Sequence, residues 1–116
     1  MSDIFISRSK TGTGSAVAVY TVPTADSGAV PPVPPTTAII KSIRLSNQTG
    51  GAVTTTVSAF DNSNSNLEIP LHITSLADAS EVEVLSDGVP IVLEQQDAIK
   101  ITGTGVRILI SILEIT

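Results

Sequence analysis

The chain has 116 residues, of which 41% are hydrophobic and 3% aromatic, and its formal net charge is −5. This length is typical of a single domain, and the hydrophobic content is too high for a wholly disordered chain. The six Lys and Arg residues are scattered, so they do not form the basic face that a nucleic-acid partner requires.

The remaining composition argues against several kinds of site. The chain has no cysteine, so it has no disulfide and no thiolate metal site, and a single histidine, His72, cannot anchor a zinc site. No run approaches the roughly 20 apolar residues of a membrane-spanning helix. The start, MSDIFISRSK, lacks the pattern of a signal peptide. We expect a protein that is not an enzyme and has no cofactor, no metal and no membrane partner.

Short runs with two-residue alternation follow one another along the chain and predict β-strands. In chain order the runs are DIFIS, AVAVYTV, AIIKSIRLS, AVTTTVSAF, LEIPLHIT, SEVEVL, VPIVLE, DAIKIT and GVRILISILEIT. Turn-forming residues separate them, as in NQTGG, DNSNSN, SDG, EQQD and TGTG. We therefore expect one antiparallel β-sandwich over residues 1–116, jelly-roll or immunoglobulin-like, with about eight strands.

The proline-rich segment 28–37, GAVPPVPPTT, lies between two predicted strands. Proline fixes φ and pushes the preceding residue into extended geometry, so residues 30–35 are predicted to form polyproline II. Two interpretations stay open. The segment is either a crossover within its own domain or an arm that contacts a neighbouring subunit, and the arm would use Pro31, Pro32, Val33, Pro34 and Pro35.

The run LEIPLHIT shows the clearest alternation, with apolar residues at 67, 69, 71 and 73. It predicts a half-buried strand on which His72 faces solvent. Pro70 indicates either an edge strand or an outward-facing position, because proline cannot donate to a ladder. A Ser-His-Asp site at His72 is improbable, since catalytic groups favour loops. Across all strands, the predicted core residues are Ile43, Leu45, Val57, Ile69, Leu71, Val82, Ile99, Ile101, Ile108 and Ile110.

The C-terminal run, GVRILISILEIT, is apolar on both faces of the predicted strand. Ile108, Ile110 and their neighbours form one face, and Leu109, Leu113 and Ile115 form the other. Apolar residues on both faces indicate that both are covered. A two-layer sandwich has nothing of its own to cover the second face except a loop such as 28–37. Leu109, Leu113 and Ile115 are therefore predicted to lie in a contact between copies of a homo-oligomer.

Three polar motifs are interpreted as turns. DNSNSN resembles the start of a calcium loop but lacks its glycine and its closing glutamate. The two TGTG runs, at 11–14 and 102–105, lack the following helix of a phosphate-binding loop. The sequence NQT at 47–49 matches a glycosylation acceptor, but it is interpreted as the apex of a hairpin.

Two longer stretches together resemble a known class of protein. IIKSIRLSNQTGGAVTTTVSAFD (39–61) and PIVLEQQDAIKITGTGVRILISILEI (90–115) resemble small β-sandwich structural proteins in the virions of tailed bacteriophages. Related proteins often carry glycine where this chain has Gln96. The resemblance implies location in the virion and a role in decorating or cementing the capsid or in building neck, tail or fibre-base parts. It also implies contacts with capsid or tail proteins and with the chain itself, most simply as a trimer.

The alternative function is that of a carbohydrate- or cell-surface-binding β-sandwich. Sites of this kind usually rely on aromatic platforms, and the chain offers only Phe5, Tyr20 and Phe60.

Overall fold

Nine β-strands and one short 3₁₀ turn (Asn62–Asn64) form the regular structure of residues 3–85 and 89–116, which are the residues that the computed structural model describes. The strands are β1 (Asp3–Thr11), β2 (Val17–Thr21), β3 (Thr37–Asn47), β4 (Val53–Asp61), β5 (Leu67–Leu76), β6 (Ser80–Glu83), β7 (Ile91–Leu93), β8 (Ala98–Thr102) and β9 (Arg107–Ile115). Within these ranges no helix is long and apolar enough to cross a membrane.

The strands form two antiparallel sheets. Sheet A has the order β1-β9-β3-β6, and β7 also pairs with β3, beside β6 along the same strand. Sheet B has the order β2-β8-β4-β5. β6 and β7 occupy the same position beside β3, so each sheet has four strand positions. This strand order is that of a jelly roll rather than of an immunoglobulin domain. The predicted all-β sandwich is confirmed. Pro70 lies on β5, which is an edge strand as predicted.

The core lies between the sheets and is built mainly from the central strands β3, β4, β8 and β9. Seven of the ten predicted core residues are buried: Ile43, Leu45, Val57, Ile99, Ile101, Ile108 and Ile110. Leu71 and Val82 are half-buried and pack against this cluster. Ile69 was predicted wrongly, since it is 44% exposed. It lies near the start of an edge strand, where the sandwich opens into an apolar cavity of about 200 Å³.

A bulge in β5 reverses the faces that simple alternation predicts. Val57 and Ser58 are adjacent on β4 but pair with His72 and Pro70, so Leu71 is an extra residue. His72 therefore lies on the same side as buried Val57. Its Nε2 atom is buried and has no hydrogen-bond partner among the described residues. The prediction that His72 faces solvent is wrong for this reason.

The proline-rich segment connects sheet B to sheet A, because it runs from the end of β2 to the start of β3. Asp26 and Val33 form an antiparallel bridge, with N–O distances of 2.9 and 2.8 Å, that closes a narrow loop (the proline loop, 26–33). Residues 30–35 are thus not one uninterrupted extended segment, as the sequence predicts, because residues 30–33 belong to this closed loop. The backbone N–H of Ala25 donates to Gln95 Oε1 at 3.0 Å, which ties the loop's base to the β7–β8 turn.

A polar bridge joins the two sheets near one end of the sandwich. The Tyr20 hydroxyl donates to Glu114 Oε2 at 2.5 Å, linking β2 to β9. Burial raises the pKa of Tyr20 well above its usual value, and the hydrogen bond and the charge of Glu114 raise it further. Tyr20 is 6% exposed, so it belongs to the core and does not form a surface platform.

Glu83 holds a second bulge, in β3, where the pairing with β9 shifts between Ile40 and Ser42. Its Oε2 accepts hydrogen bonds from the backbone N–H groups of Ile43 (2.8 Å) and Leu85 (3.2 Å), and its Oε1 accepts one from the Ser42 hydroxyl. Burial raises the pKa of Glu83. The hydrogen bonds and nearby Arg44 outweigh burial, so this pKa lies below its ordinary value.

Replacing Glu83 with Gln is expected to lower the free energy of unfolding at pH 7 by roughly 1.5–3 kcal/mol, the usual contribution of a hydrogen bond to a charged acceptor. A folded-state pKa below the unfolded value of about 4.3 means that this stabilisation is present above that value and is lost as the pH falls through the folded-state pKa. Urea denaturation at pH 7, 5 and 3 should therefore show the gap between wild type and variant closing in acid. A gap that stays constant would contradict the role of the charge.

Candidate interaction surface

A row of apolar side chains crosses the outer face of sheet A at right angles to the strands. Phe5 on β1 pairs with Leu113 on β9, Leu113 pairs with Ile39 on β3, and Ile39 pairs with Val92 on β7. Directly opposed residues of antiparallel strands place their side chains on the same face. We call these four residues the apolar row. They lie on the face opposite to the buried residues of β9, such as Ile110 and Ile112.

The ends of the apolar row are open to solvent. Phe5 is 76% exposed and Val92 is 61% exposed, while Leu113 and Ile39 between them are half-buried. A single exposed apolar residue is normal on a protein surface, but four in register across four strands form a continuous patch. The row is thus a continuous apolar patch on the outer face of sheet A.

The predicted contact residues of β9 all lie on this outer face. Leu113 belongs to the apolar row, Ile115 is half-buried two residues further along the strand, and Leu109 is 45% exposed at the other side. The prolines predicted for an arm lie elsewhere. Pro31, Pro32, Pro34 and Pro35 are exposed, and Val33 is half-buried in its bridge to Asp26. Val30, at the tip of the proline loop, is 98% exposed.

Small and charged residues flank the apolar row on the side of Leu109. The next row consists of three serines, Ser7, Ser111 and Ser42, in register across β1, β9 and β3. Beyond it lies a groove of about 370 Å³, lined by Ser9, Arg44, Leu45, Ser46, Glu81, Arg107, Ile108 and Leu109. The outer face therefore combines an apolar row, a low band of serines and a groove whose lining is mainly apolar but includes charged residues of both signs.

Sequence reasoning missed three members of the apolar row. Phe5 was noted only as an aromatic residue, and Ile39 and Val92 were not singled out. In the chain, 34 residues separate Phe5 from Ile39, so the sequence does not indicate that the two are close in space. Only the register of β1 and β3 on either side of β9 brings them together.

Two carboxylates outside this face, those of Asp97 and Asp61, stabilise turns of the fold. Asp97 is 7% exposed, and its carboxylate accepts hydrogen bonds from the backbone N–H groups of Asn62 (2.9 Å) and Glu94 (3.0 Å). Asp61 caps the 3₁₀ turn by accepting from the backbone N–H of Ser63 at 3.2 Å. Within residues 3–85 and 89–116 no three His, Asp or Glu residues cluster in a way that could hold a metal ion.

Comparisons with known proteins extend the fold assignment. No family model matches the chain, and no curated protein matches it. Among solved structures the chain is similar to a protein of Bacillus endospore appendages, which are described as a novel family of disulfide-linked pili. The TM-score is 0.54 and the sequence identity 14%, over 99% of this chain and 87% of the other. At this identity the similarity establishes the fold alone.

Proposed function

We propose that this chain is a structural protein without catalytic activity that acts by protein–protein contacts as a component of a bacteriophage virion, on the capsid or in neck or tail parts. The observation that carries the proposal is the apolar row on the outer face of sheet A, which is too continuous to be incidental. The sequence stretches at 39–61 and 90–115 resemble those of small virion proteins. A fold shared with a subunit of a pilus, another protein assembly, is consistent with a structural role.

Two surfaces are available for these contacts. The outer face of sheet A, with Leu109, Leu113 and Ile115, contacts another copy of the chain. The proline loop, whose tip residue Val30 is 98% exposed, contacts a capsid or tail protein. The chain has no cysteine, so neither contact is a disulfide link of the kind described for the pili whose fold it shares.

The carbohydrate-binding alternative has less support in the arrangement of the aromatic residues. Tyr20 is buried, and Phe60 is half-buried with the Lys100 ammonium 4.4 Å from its ring centroid. Phe5 is therefore the aromatic side chain that is exposed on the surface. A glycan array with the wild type and a Phe5→Ala variant distinguishes the alternatives, because selective binding that depends on Phe5 would favour the carbohydrate function.

The virion function predicts that the protein is part of purified particles. Particles banded on a density gradient from the lysed producing host should contain the chain in a constant ratio to the main capsid protein, and antibodies against it should label them in electron micrographs. A variant with residues 31–35 replaced by a Gly-Ser turn should fold but be depleted from the particles. Particles that lack the wild-type chain would refute the virion function.

A further inference from the structure

We infer that the outer face of sheet A binds the same face of a second copy across a twofold axis, so that two sandwiches stack face to face as a dimer. The inference rests on the proposed function, because it specifies the partner and the geometry of one of its contacts. It replaces the trimer that the family resemblance implies.

The first argument is the shape of the patch. A trimeric ring needs two different complementary surfaces on each subunit, whereas a twofold contact uses one surface twice. The apolar row is one continuous patch on one face. Its exposed residues, Phe5 and Val92, are at its two ends, and its half-buried residues are in the middle. An axis running along the strands between β9 and β3 therefore places Phe5 opposite the second copy's Val92, and Leu113 opposite its Ile39.

The second argument is that part of the outer face carries side chains small enough for a second sheet to approach. Sheets pack face to face at about 10 Å when the side chains between them interdigitate. The three serines, Ser7, Ser111 and Ser42, form a shallow band directly beside the apolar row. These three paired residues are small, so none of them holds the two sheets apart.

The third argument is area. Strands of nine residues at a rise of about 3.4 Å, four of them at a spacing of about 4.8 Å, span roughly 550–600 Å². Two such faces bury on the order of 1,200 Å² in total, which is the lower end of the range for specific interfaces. The apolar row alone falls short of this, so the serine band and part of the groove beside Leu109 belong to the contact.

Charge does not oppose the contact. The chain as a whole carries −5, and two such chains repel each other. The charged residues around the groove are balanced, however, with Arg44 and Arg107 beside Glu81 and Glu83. The groove end of the outer face thus offers a second copy a surface with little local repulsion.

The first test is sedimentation equilibrium over a wide concentration range. Wild type is expected to be a dimer, and Phe5→Lys and Val92→Lys are each expected to raise the dissociation constant about tenfold or more, as for anchors at an interface. Both sites are exposed, so the variants should retain the β-sheet circular dichroism spectrum. Ile73→Lys is the matched control, because Ile73 is 64% exposed but lies on sheet B, and it should leave the constant unchanged.

The second test uses the absence of cysteine, which allows one spin label per chain. In the stacked dimer, labels at Ser7→Cys lie about 20 Å apart, whereas labels at Ala18→Cys, on the outer side of sheet B, lie about 30 Å or more apart, given sheets spaced at about 10 Å. A short distance at Ser7 and a long one at Ala18 support the twofold stack. The reverse pattern places the contact on sheet B and overturns it.

Other outcomes separate this inference from the virion function. A trimer, or a chain that stays monomeric at high concentration, overturns the twofold contact. If such a chain is still found in purified particles, the virion function stands and only the contact is wrong. If the chain is a dimer with the expected distances but is absent from particles, the twofold contact stands and the virion function is wrong.

Discussion

Replacing Gly12 with alanine is expected to lower the free energy of unfolding by about 3 kcal/mol, the upper range for overpacking. A Cβ atom at Gly12 would lie 2.3 Å from the backbone oxygen of Gly103. Real Cβ atoms do not approach backbone this closely, so the chain must move. Because the obstacle is a carbonyl and not the end of a flexible side chain, no rotamer change can relieve the clash.

The cost is large because Gly12 lies where the two TGTG runs meet. The Gly12 N–H donates to Val106 O at 2.7 Å, Gly105 N–H donates to Gly12 O at 2.9 Å, and Gly103 N–H donates to Thr13 O at 2.9 Å. These bonds fasten the end of β1 to the turn between β8 and β9. A shift large enough to admit a methyl group at Gly12 would lengthen several of them at once.

Gly14→Ala provides the matched control within the same run. A Cβ atom at Gly14 would lie 3.7 Å from the Thr104 hydroxyl, an ordinary contact, and we expect its effect to stay within about 0.5 kcal/mol. Urea denaturation of the two variants against wild type measures the difference. Equal effects at the two positions would mean that the turn can relax, and the close approach would then carry no energetic weight.

The TGTG runs illustrate how far the sequence alone reaches. Both were predicted to be turns from their composition; the second run contains a turn at 103–105, and the first run begins on β1 and continues into the connection to β2. That the two turns contact each other depends on the pairing of β1 with β9, which joins residues about 100 positions apart. Composition reports the local backbone, whereas the tertiary contact depends on register.

The strands could also be predicted because their sequence pattern is local. A strand half-buried in a sandwich alternates apolar and polar residues, and this pattern is visible in each run by itself. The error at His72 occurred where an extra residue enters the strand, whereas Ile69 was predicted wrongly because it lies near the start of an edge strand. The bulge at Leu71 moved His72 inward, and the bulge in β3 near Lys41 brought Ile40 and Ile43 to the same face. A bulge leaves no signal in the alternation except an apparent irregularity.

The candidate surface was found only in part. Leu109 and Leu113 could be identified because their strand is apolar on both faces, and no polar face was left to meet solvent. Phe5 and Val92 could not, because each lies alone among polar or differently facing neighbours in its own strand. Gln96 is a related case. Its φ of 70° is in the left-handed region that glycine favours, which explains why glycine suits this position in the proteins that the chain resembles.

Asn47 is expected to be the most important polar side chain for stability. It is fully buried at the end of β3, and its Nδ2 donates to Gly51 O at 2.9 Å and to Leu76 O at 2.8 Å. Its Oδ1 accepts from the backbone N–H of Thr49 at 3.0 Å and from the Thr49 hydroxyl at 2.8 Å. One side chain therefore organises the β3–β4 turn and fastens it to the end of β5. With both amide hydrogens engaged in the folded protein, Asn47 is unavailable for glycosylation despite the NQT motif.

Asn47→Ala is expected to lower the free energy of unfolding by about 3 kcal/mol, because it leaves the buried Leu76 carbonyl without its partner, at roughly 1–3 kcal/mol, and removes three part-buried hydrogen bonds in the turn. Asn47→Asp separates the donor role from the acceptor role. It keeps the acceptor for Thr49 but removes the donor to Leu76 O and buries a charge, so its stability should be lower at pH 7 than at pH 4. Asn64→Ala, at an exposed asparagine in the 3₁₀ turn, is the control and should change stability by no more than about 0.5 kcal/mol. Urea denaturation of the three variants decides the matter: an Asn47→Ala variant as stable as the Asn64→Ala variant would show that water replaces the amide and that the turn does not depend on it.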